Sequence, residues 1–256
     1  MLMAVDVGNT NIGVGIFETE NLTHNFRIRV AEQKTLRKAL SKELNPDILN
    51  QTKNIAVASV NPNAEKIFCD WLEKNHGRTP LKVGTDIPIK IPILVKNPER
   101  VGIDRLLNAI AAFQRIRASA IVVDFGTAIT FDVVSDKGEY LGGAIAPGIE
   151  TSAYALKNRT ALLPRVSINK PSHTLGKNTE EAIRSGVYWG TVGMVERILR
   201  ELFNELPPEA GQPKVIATGG DAELIGPDIP LISDIIPHLT LEGIKIVHDA
   251  YLFSKR

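Results

Sequence analysis

The sequence predicts an α/β protein folded as two similar lobes, each a mixed sheet flanked by helices, and three observations carry that expectation. Short β-branched runs alternate with longer stretches of helical apolar spacing. The opening MAVDVGNTNIGVGIF returns as AIVVDFGTAITFDVV, with Val5 and Val123, Asp6 and Asp124, and Gly8 and Gly126 all 118 residues apart. Each copy is followed by a third strand before the pattern changes period. At 256 residues the chain suits one large domain or two modest ones. The repeat favours two lobes, 1–118 and 119–256, facing each other across a cleft.

In the first half, LMAVDV, NIGVGIF and the stretch around NFRIRV read as consecutive strands, the first two joined by a tight turn at Gly8-Asn9-Thr10. Segment 31–44 has helical spacing, 54–60 reads as a short buried strand, and 62–75 returns to helix. PLKVG and an irregular Pro-rich stretch from 87 to 98 follow. Ile103, Leu106, Leu107, Ile110 and Phe113 then mark one buried helical face, with a start either at Asn97-Pro98 or at Gly102. In the second half AIVVDF, AITFDVV and EYLGGAI repeat the three strands. A long helix over 179–203 carries Gly186, Gly190 and Gly193 near one face. Each helical glycine costs about 0.8–1.0 kcal/mol relative to alanine, so a close backbone neighbour is expected. That neighbour is a helix of the same lobe or, alternatively, a second subunit.

Composition bounds the partners. Thirty basic against 29 acidic residues leave a net charge of +1, which gives nucleic acid or an anionic membrane no whole-molecule attraction. The single Cys69 forbids an intrachain disulfide and any multi-cysteine metal site. No basic residue precedes Arg27, and Asp6 and the Asn9–Asn11 stretch interrupt the apolar start. It is therefore read as neither an export signal nor a membrane span, and a cytoplasmic protein is expected. There is no Walker loop, Gly13-Val-Gly15 is not completed to G-x-G-x-x-G, and the five histidines lack metal-ligand spacing.

Two constellations remain. Asp6-Val7-Gly8 followed by Asn9-Thr10-Asn11 sets backbone N–H groups and short polar side chains where an anion can come close, although such residues also make ordinary hairpin turns. Asp124-Phe125-Gly126-Thr127 repeats the arrangement. Two such turns could hold a polyphosphate, each with a carboxylate near a hydrated cation, since Mg²⁺ prefers oxygen ligands. Gly102-Ile103-Asp104-Arg105 opens a helix; with Ile103 turned to the core, Asp104 and Arg105 can reach a cleft. Alone, that pair is also an acid favoured in a first helical turn beside a solvated arginine.

DVGNTN at 6–11, NPERVGIDR at 97–105, DFGTAITFD at 124–132, GGAIAPGI at 142–149, GKNTEEAIRSG at 176–186 and TGGDAELI at 218–225 together resemble the type III pantothenate kinases over nearly the whole chain. The resemblance implies the acetate-kinase, sugar-kinase, Hsp70 and actin superfamily, with two ribonuclease-H-like lobes. It implies ATP-dependent phosphorylation of pantothenate to 4'-phosphopantothenate, the first step of coenzyme A synthesis. By position, Asp104 matches the general base, and Gly102, Ile103, Asp104, Arg105 and Thr179 match substrate contacts. Val95 stands where many members carry a tyrosine beside the substrate, and would line a pocket for the dimethyl end of pantothenate. ATP falls to the loop Asp6, Val7, Gly8, Asn9, Thr10, Asn11, Ile12 and Gly13, to Thr127, and to Gly219-Gly220. Asp6 is expected to act on Mg²⁺ or another divalent cation through water, and Asp124 to bind K⁺ or NH₄⁺. A homodimer is a further implication. The same fold also hosts kinases of other small alcohols or sugars, and some relatives are regarded as non-catalytic regulatory accessory proteins. Presence of Asp6, Asp104, Arg105 and Asp124 together favours catalysis.

Overall fold

The computed structural model describes residues 1–44, 46–206 and 211–255. The chain opens with β1 (Leu2–Val7), β2 (Asn11–Glu18) and β3 (Asn21–Arg29), followed by α1 (Gln33–Glu43), α2 (Pro46–Gln51), β4 (Asn54–Ser59), α3 (Pro62–His76) and the short β5 (Leu81–Lys82). A 3-10 turn at Pro98–Arg100 precedes α4 (Ile103–Ile116), so the helix starts directly after Gly102 and the Asn97-Pro98 pair opens the separate turn. Then come β6 (Ala120–Phe125), β7 (Ala128–Val134), β8 (Tyr140–Pro147), α5 (Ile149–Arg159), α6 (Thr179–Glu205), β9 (Lys214–Gly219), α7 (Ala222–Ile225), β10 (Asp234–Ile235) and α8 (Leu239–Ser254).

The two sheets share one topology. The first runs β3-β2-β1-β4-β5 and the second β8-β7-β6-β9-β10. In each, the first strand pairs antiparallel with the second and parallel with the fourth, Val5 facing Val14 and Val57 just as Val123 faces Phe131 and Ala217. A central strand covered on both faces must be apolar nearly throughout, and β1 and β6 are buried at every position except the aspartate and, in order, at matching sites. β3, at the edge, is largely exposed and carries Arg27 and Arg29, charges that discourage edge-to-edge pairing.

Met3, Val5 and Val7 turn one face of the first sheet into a core with Leu36 and Leu40 of α1 and Phe68 and Trp71 of α3. Leu2, Ala4, Ala56 and Ala58 on the opposite face meet Leu107 of α4 and Leu241 and Ile244 of α8. In the second sheet Val123, Phe125, Ile129 and Phe131 pack with Tyr188, Val195 and Leu199 of α6.

Two compact units result: Met1–Ile91 with Asn97–Ala111 and Thr240–Arg256, and Pro92–Lys96 with Ala112–Leu239. The expected division into 1–118 and 119–256 differs from these units in three places. The C-terminal helix α8 returns to the first unit because its apolar stripe completes the core beneath β1 and β4. Pro92–Lys96 joins the second unit because Leu94 N–H donates to Tyr140 O (2.8 Å) and Tyr140 N–H to Pro92 O (2.8 Å), extending the sheet beyond β8. The changeover itself falls within α4, at Ala111/Ala112.

The glycines of α6 correct another expectation. Among the described residues, a Cβ on Gly186, Gly190 or Gly193 would meet no atom within 4 Å, so no described helix of the same lobe packs against these three positions. No helix among the described residues is long and apolar enough to cross a membrane.

Candidate functional site

The first turn closes where β1 and β2 part. Gly8 N–H donates to Asn11 O (3.0 Å), and the end of β3 braces it as Val30 N–H donates to Thr10 O (2.8 Å). Asp6 lies one residue before the strand end, between Gly13 of β2 and Ala58 of β4, and is half-buried while its strand neighbours are covered. Asn9 and Asn11 stand exposed at the tip. Behind it Asn61 caps α3, accepting from Ala64 N–H (3.1 Å), and its amide lies 3.5 Å from Gly8 O. Backbone N–H groups on a short polar turn beside a carboxylate are a donor set for phosphate with a hydrated cation.

The second turn is held from more sides. Gly126 N–H donates to Ala128 O (3.1 Å), while Thr127 O accepts both Gly148 N–H (3.1 Å) and the Thr151 hydroxyl (2.6 Å) from the start of α5. Asp124 stands between Thr130 of β7 and Thr218 of β9. Gly219, at the end of β9, has φ +96, and a Cβ there would run into Asp124 Oδ1 and Phe125 O. Only glycine permits both that backbone conformation and that closeness. The carboxylate therefore rests against bare backbone in a cradle that one methyl would fill, with Asp221 N–H completing the turn by donating to Phe125 O (3.1 Å). A carboxylate held beside backbone oxygen is a donor set that a cation can use.

Asp104 sits in the first turn of α4, half-buried, with Oδ1 accepting from Arg105 N–H at 2.8 Å. A Cβ on Gly102 would lie 2.5 Å from that same oxygen, so the glycine is required for the carboxylate to fold back over the helix start. Burial pushes the Asp104 carboxyl above the ordinary aspartate range, against the opposing pull of the Arg105 backbone N–H and guanidinium. A carboxylate with raised proton affinity is a better base than a solvated one.

Thr179 opens α6 and is exposed beside a capping arrangement in which Asn178 accepts from Glu181 N–H (2.9 Å) and Glu181 accepts from Lys177 N–H (2.7 Å). Val95 belongs to the segment bridged to Tyr140 at the start of β8 and lies against Gly142 of that strand. Asp6 to Gly13 and Gly102 to Arg105 thus belong to the first unit, whereas Val95, Asp124, Thr127, Thr179 and Gly219-Gly220 belong to the second. Thr151, Asn61 and the buried Asp132 were not anticipated. DFGTAITFD did carry Asp132 as a carboxylate in an otherwise apolar strand, a signal that could have been followed. An apolar hollow of about 120 Å³ lined by Pro88, Ile110, Val247 and Tyr251 contains none of the expected residues.

Two sheets of one topology, each bearing a carboxylate near the end of its first strand, define the class: the mixed α/β fold of the actin and Hsp70 kind. MreB5 of Spiroplasma citri bound to AMPPNP is similar in fold, with a TM-score of 0.54 at 11% identity over 99% of this chain and 97% of its own. A Baf-family chain from Campylobacter jejuni matches at 0.59 and 20% identity over 98% and 99%. Within that class, the chain belongs to the type III pantothenate kinase family, whose model matches residues 2–201. It is 42% identical to the type III pantothenate kinase of Moorella thermoacetica over 97% of this chain and 99% of that one. The enzyme of the same description from Anaeromyxobacter dehalogenans is 43% identical over 97% and 99%.

Proposed function

We infer that the chain phosphorylates the primary hydroxyl of pantothenate with ATP, opening coenzyme A biosynthesis. The observation that carries this reading is the match to type III pantothenate kinases over 97% of the chain, with a half-buried carboxylate at Asp104. Phosphoryl transfer goes through a loose transition state, so the protein's work is alignment and charge stabilisation. Asp104 accepts a hydrogen bond from the hydroxyl, orients it and takes its proton as the new P–O bond forms and the γ-phosphorus bond to the bridging oxygen breaks, releasing ADP. Its Oδ1 is already engaged by Arg105 N–H, which leaves Oδ2 for that proton. Gly102, Ile103 and Arg105 of the first unit, and separately Val95 and Thr179 of the second, are assigned to pantothenate. The turn from Asp6 to Gly13 in the first unit, and separately Thr127 and Gly219-Gly220 in the second, are assigned to ATP. Asp6 would hold Mg²⁺ or another divalent cation through water, and Asp124 in its glycine cradle would hold K⁺ or NH₄⁺. When bound, these ions neutralise phosphate charge.

The reaction runs where ATP is abundant, and we place it in the cytoplasm with no nucleic-acid partner, in keeping with the net charge of +1. A homodimer is supported by the uncovered glycine face of α6 and by exposed Leu94, Ile145, Tyr154, Leu162 and Leu175 in the second unit.

A coupled ADP-release assay with pantothenate, repeated with simple sugars, tests the reading. Turnover with pantothenate is expected, and its absence at saturating ATP overturns the assignment. Asp104→Asn is expected to lower kcat by roughly 10²–10⁴-fold with ADP affinity unchanged. The carboxylate must be unprotonated to act, and burial raises its pKa. The acidic limb of kcat/KM should therefore lie above the range of an ordinary aspartate and vanish with Asp104→Asn. Folding is linked the other way: a raised carboxyl pKa contributes stability at low pH that is lost as pH climbs through it.

A further inference from the structure

One chain of polar groups crosses the second sheet unused by the mechanism above. Asp132 of β7 is fully buried, and its two oxygens accept separate hydroxyls, Tyr140 at Oδ1 (2.9 Å) and Thr130 at Oδ2 (3.0 Å). A buried carboxylate without such donors would cost several kcal/mol, so the arrangement fixes both hydroxyl protons. Thr130 lies directly opposite Asp124 in the antiparallel β6–β7 pair. Residues so paired share a face of the sheet with Cβ atoms about 4.5–5.5 Å apart. Asp124 and Thr130 are also both half-buried, whereas their strand neighbours Val123, Phe125 and Ile129 are covered.

A threonine hydroxyl has one proton and two lone pairs. With the proton committed to Asp132, the Thr130 oxygen presents only lone pairs to its remaining surroundings, which is what a cation needs. We propose that Thr130 supplies a second protein oxygen to the monovalent cation held by Asp124, and that Asp132, itself fixed by Tyr140, is the positioning residue that turns the Thr130 hydroxyl for that task. The proposal rests on the Asp124 reading. Neutral hydroxyl oxygen beside one carboxylate matches a weakly charged, readily dehydrated ion such as K⁺ better than Mg²⁺, which keeps its water.

The experiment titrates KCl against choline chloride at constant ionic strength and follows the thermal midpoint of the full chain with a non-hydrolysable ATP analogue, a readout independent of turnover. Wild type is expected to be stabilised by K⁺. Thr130→Val, of the same shape without the oxygen, should raise the half-saturating K⁺ concentration roughly tenfold, and Thr130→Ser should restore it. Asp132→Asn should act like Thr130→Val. The wholly buried Tyr140 hydroxyl keeps the amide oxygen, so the amide N–H turns to Thr130 and swings its proton toward the ion. Midpoints measured in choline report any general loss of stability separately. A Thr130→Val titration superimposable on wild type, while Asp124→Ala abolishes the response, overturns the proposal and leaves the Asp124 reading standing. A response that survives Asp124→Ala overturns both. Asp132→Asn with wild-type K⁺ dependence overturns the positioning role.

Discussion

The turns after Asp6 and after Asp124 occupy the same place in two sheets of the same topology, yet they are built differently. Between paired residues Val7 and Ile12 the first turn encloses 8–11; between Phe125 and Ile129 the second encloses only 126–128. The strand beside each tells the same story. Ser59 pairs with Val7 at the end of β4, and Gly219 pairs with Phe125 at the equivalent end of β9. Ser59 has a side chain, and its hydroxyl accepts Asn61 N–H (3.1 Å). Gly219 has none, and the space is taken by Asp124. On the proposed assignment, the smaller turn is the seat of a monovalent ion and the longer, more polar one receives phosphates.

If that division of labour holds, the two aspartates should fail differently. Asp6→Asn is expected to lower kcat on the order of 10²–10³-fold, because charge on the transferring phosphoryl group loses its partner. Added K⁺ should not repair it. Asp124→Ala should instead remove the difference between K⁺ and Na⁺ buffers. Steady-state rates of both variants across Mg²⁺ and K⁺ titrations decide the matter, and identical behaviour of the two would erase the distinction.

Exchanging the residues beside the turns sharpens the contrast through stability. Gly219→Ser places the first lobe's residue in the second, where φ is +96 and the Cβ meets Asp124 and Phe125 O. A cost of about 2–4 kcal/mol is expected from strain and overpacking. For a chain of this size that is a fall of roughly 5–15 °C in Tm. Ser59→Gly loses one part-buried hydrogen bond and some chain stiffness, about 1 kcal/mol. Calorimetry on both variants should show this asymmetry; equal losses would mean the Gly219 conformation is not under steric demand.

Much of this contrast could be read before any coordinates. The triplets β1–β3 and β6–β8 are local, so period and turn residues betray them, and the offset between Asp6 and Asp124 pairs their turns. Non-local choices were hidden. Residues 92–96 carry no sign that they will pair with Tyr140, and β5 and β10, two residues each, are too short to show a period. Leu241, Ile244 and Val247 do have helical spacing, but nothing local says that α8 will return to the first sheet. The openness of the α6 glycines is likewise a statement about what is absent across a helix face, which spacing alone cannot give. Asp104 was legible as a residue, while its raised proton affinity depends on burial that only the packed helix start supplies.

The smallest expected effect concerns the braces. Thr151→Val removes the hydroxyl that donates to Thr127 O, but Gly148 N–H still reaches that carbonyl, so no buried acceptor is orphaned and the loss is about 0.5–1.5 kcal/mol. What changes is the angle at which the Thr127 peptide is held, and ATP should feel it as a KM raised about two- to tenfold with kcat little altered. On the other turn, Asn61→Ser keeps the helix cap and gives up only the amide contact to Gly8 O, which at 3.5 Å is at the limit of a hydrogen bond. Its KM for ATP should stay within about twofold of wild type. Separate kcat and KM values for ATP in the two variants therefore ask whether bracing matters more at the compact turn, and a larger change in Asn61→Ser than in Thr151→Val would reverse which of the two turns is the rigid one.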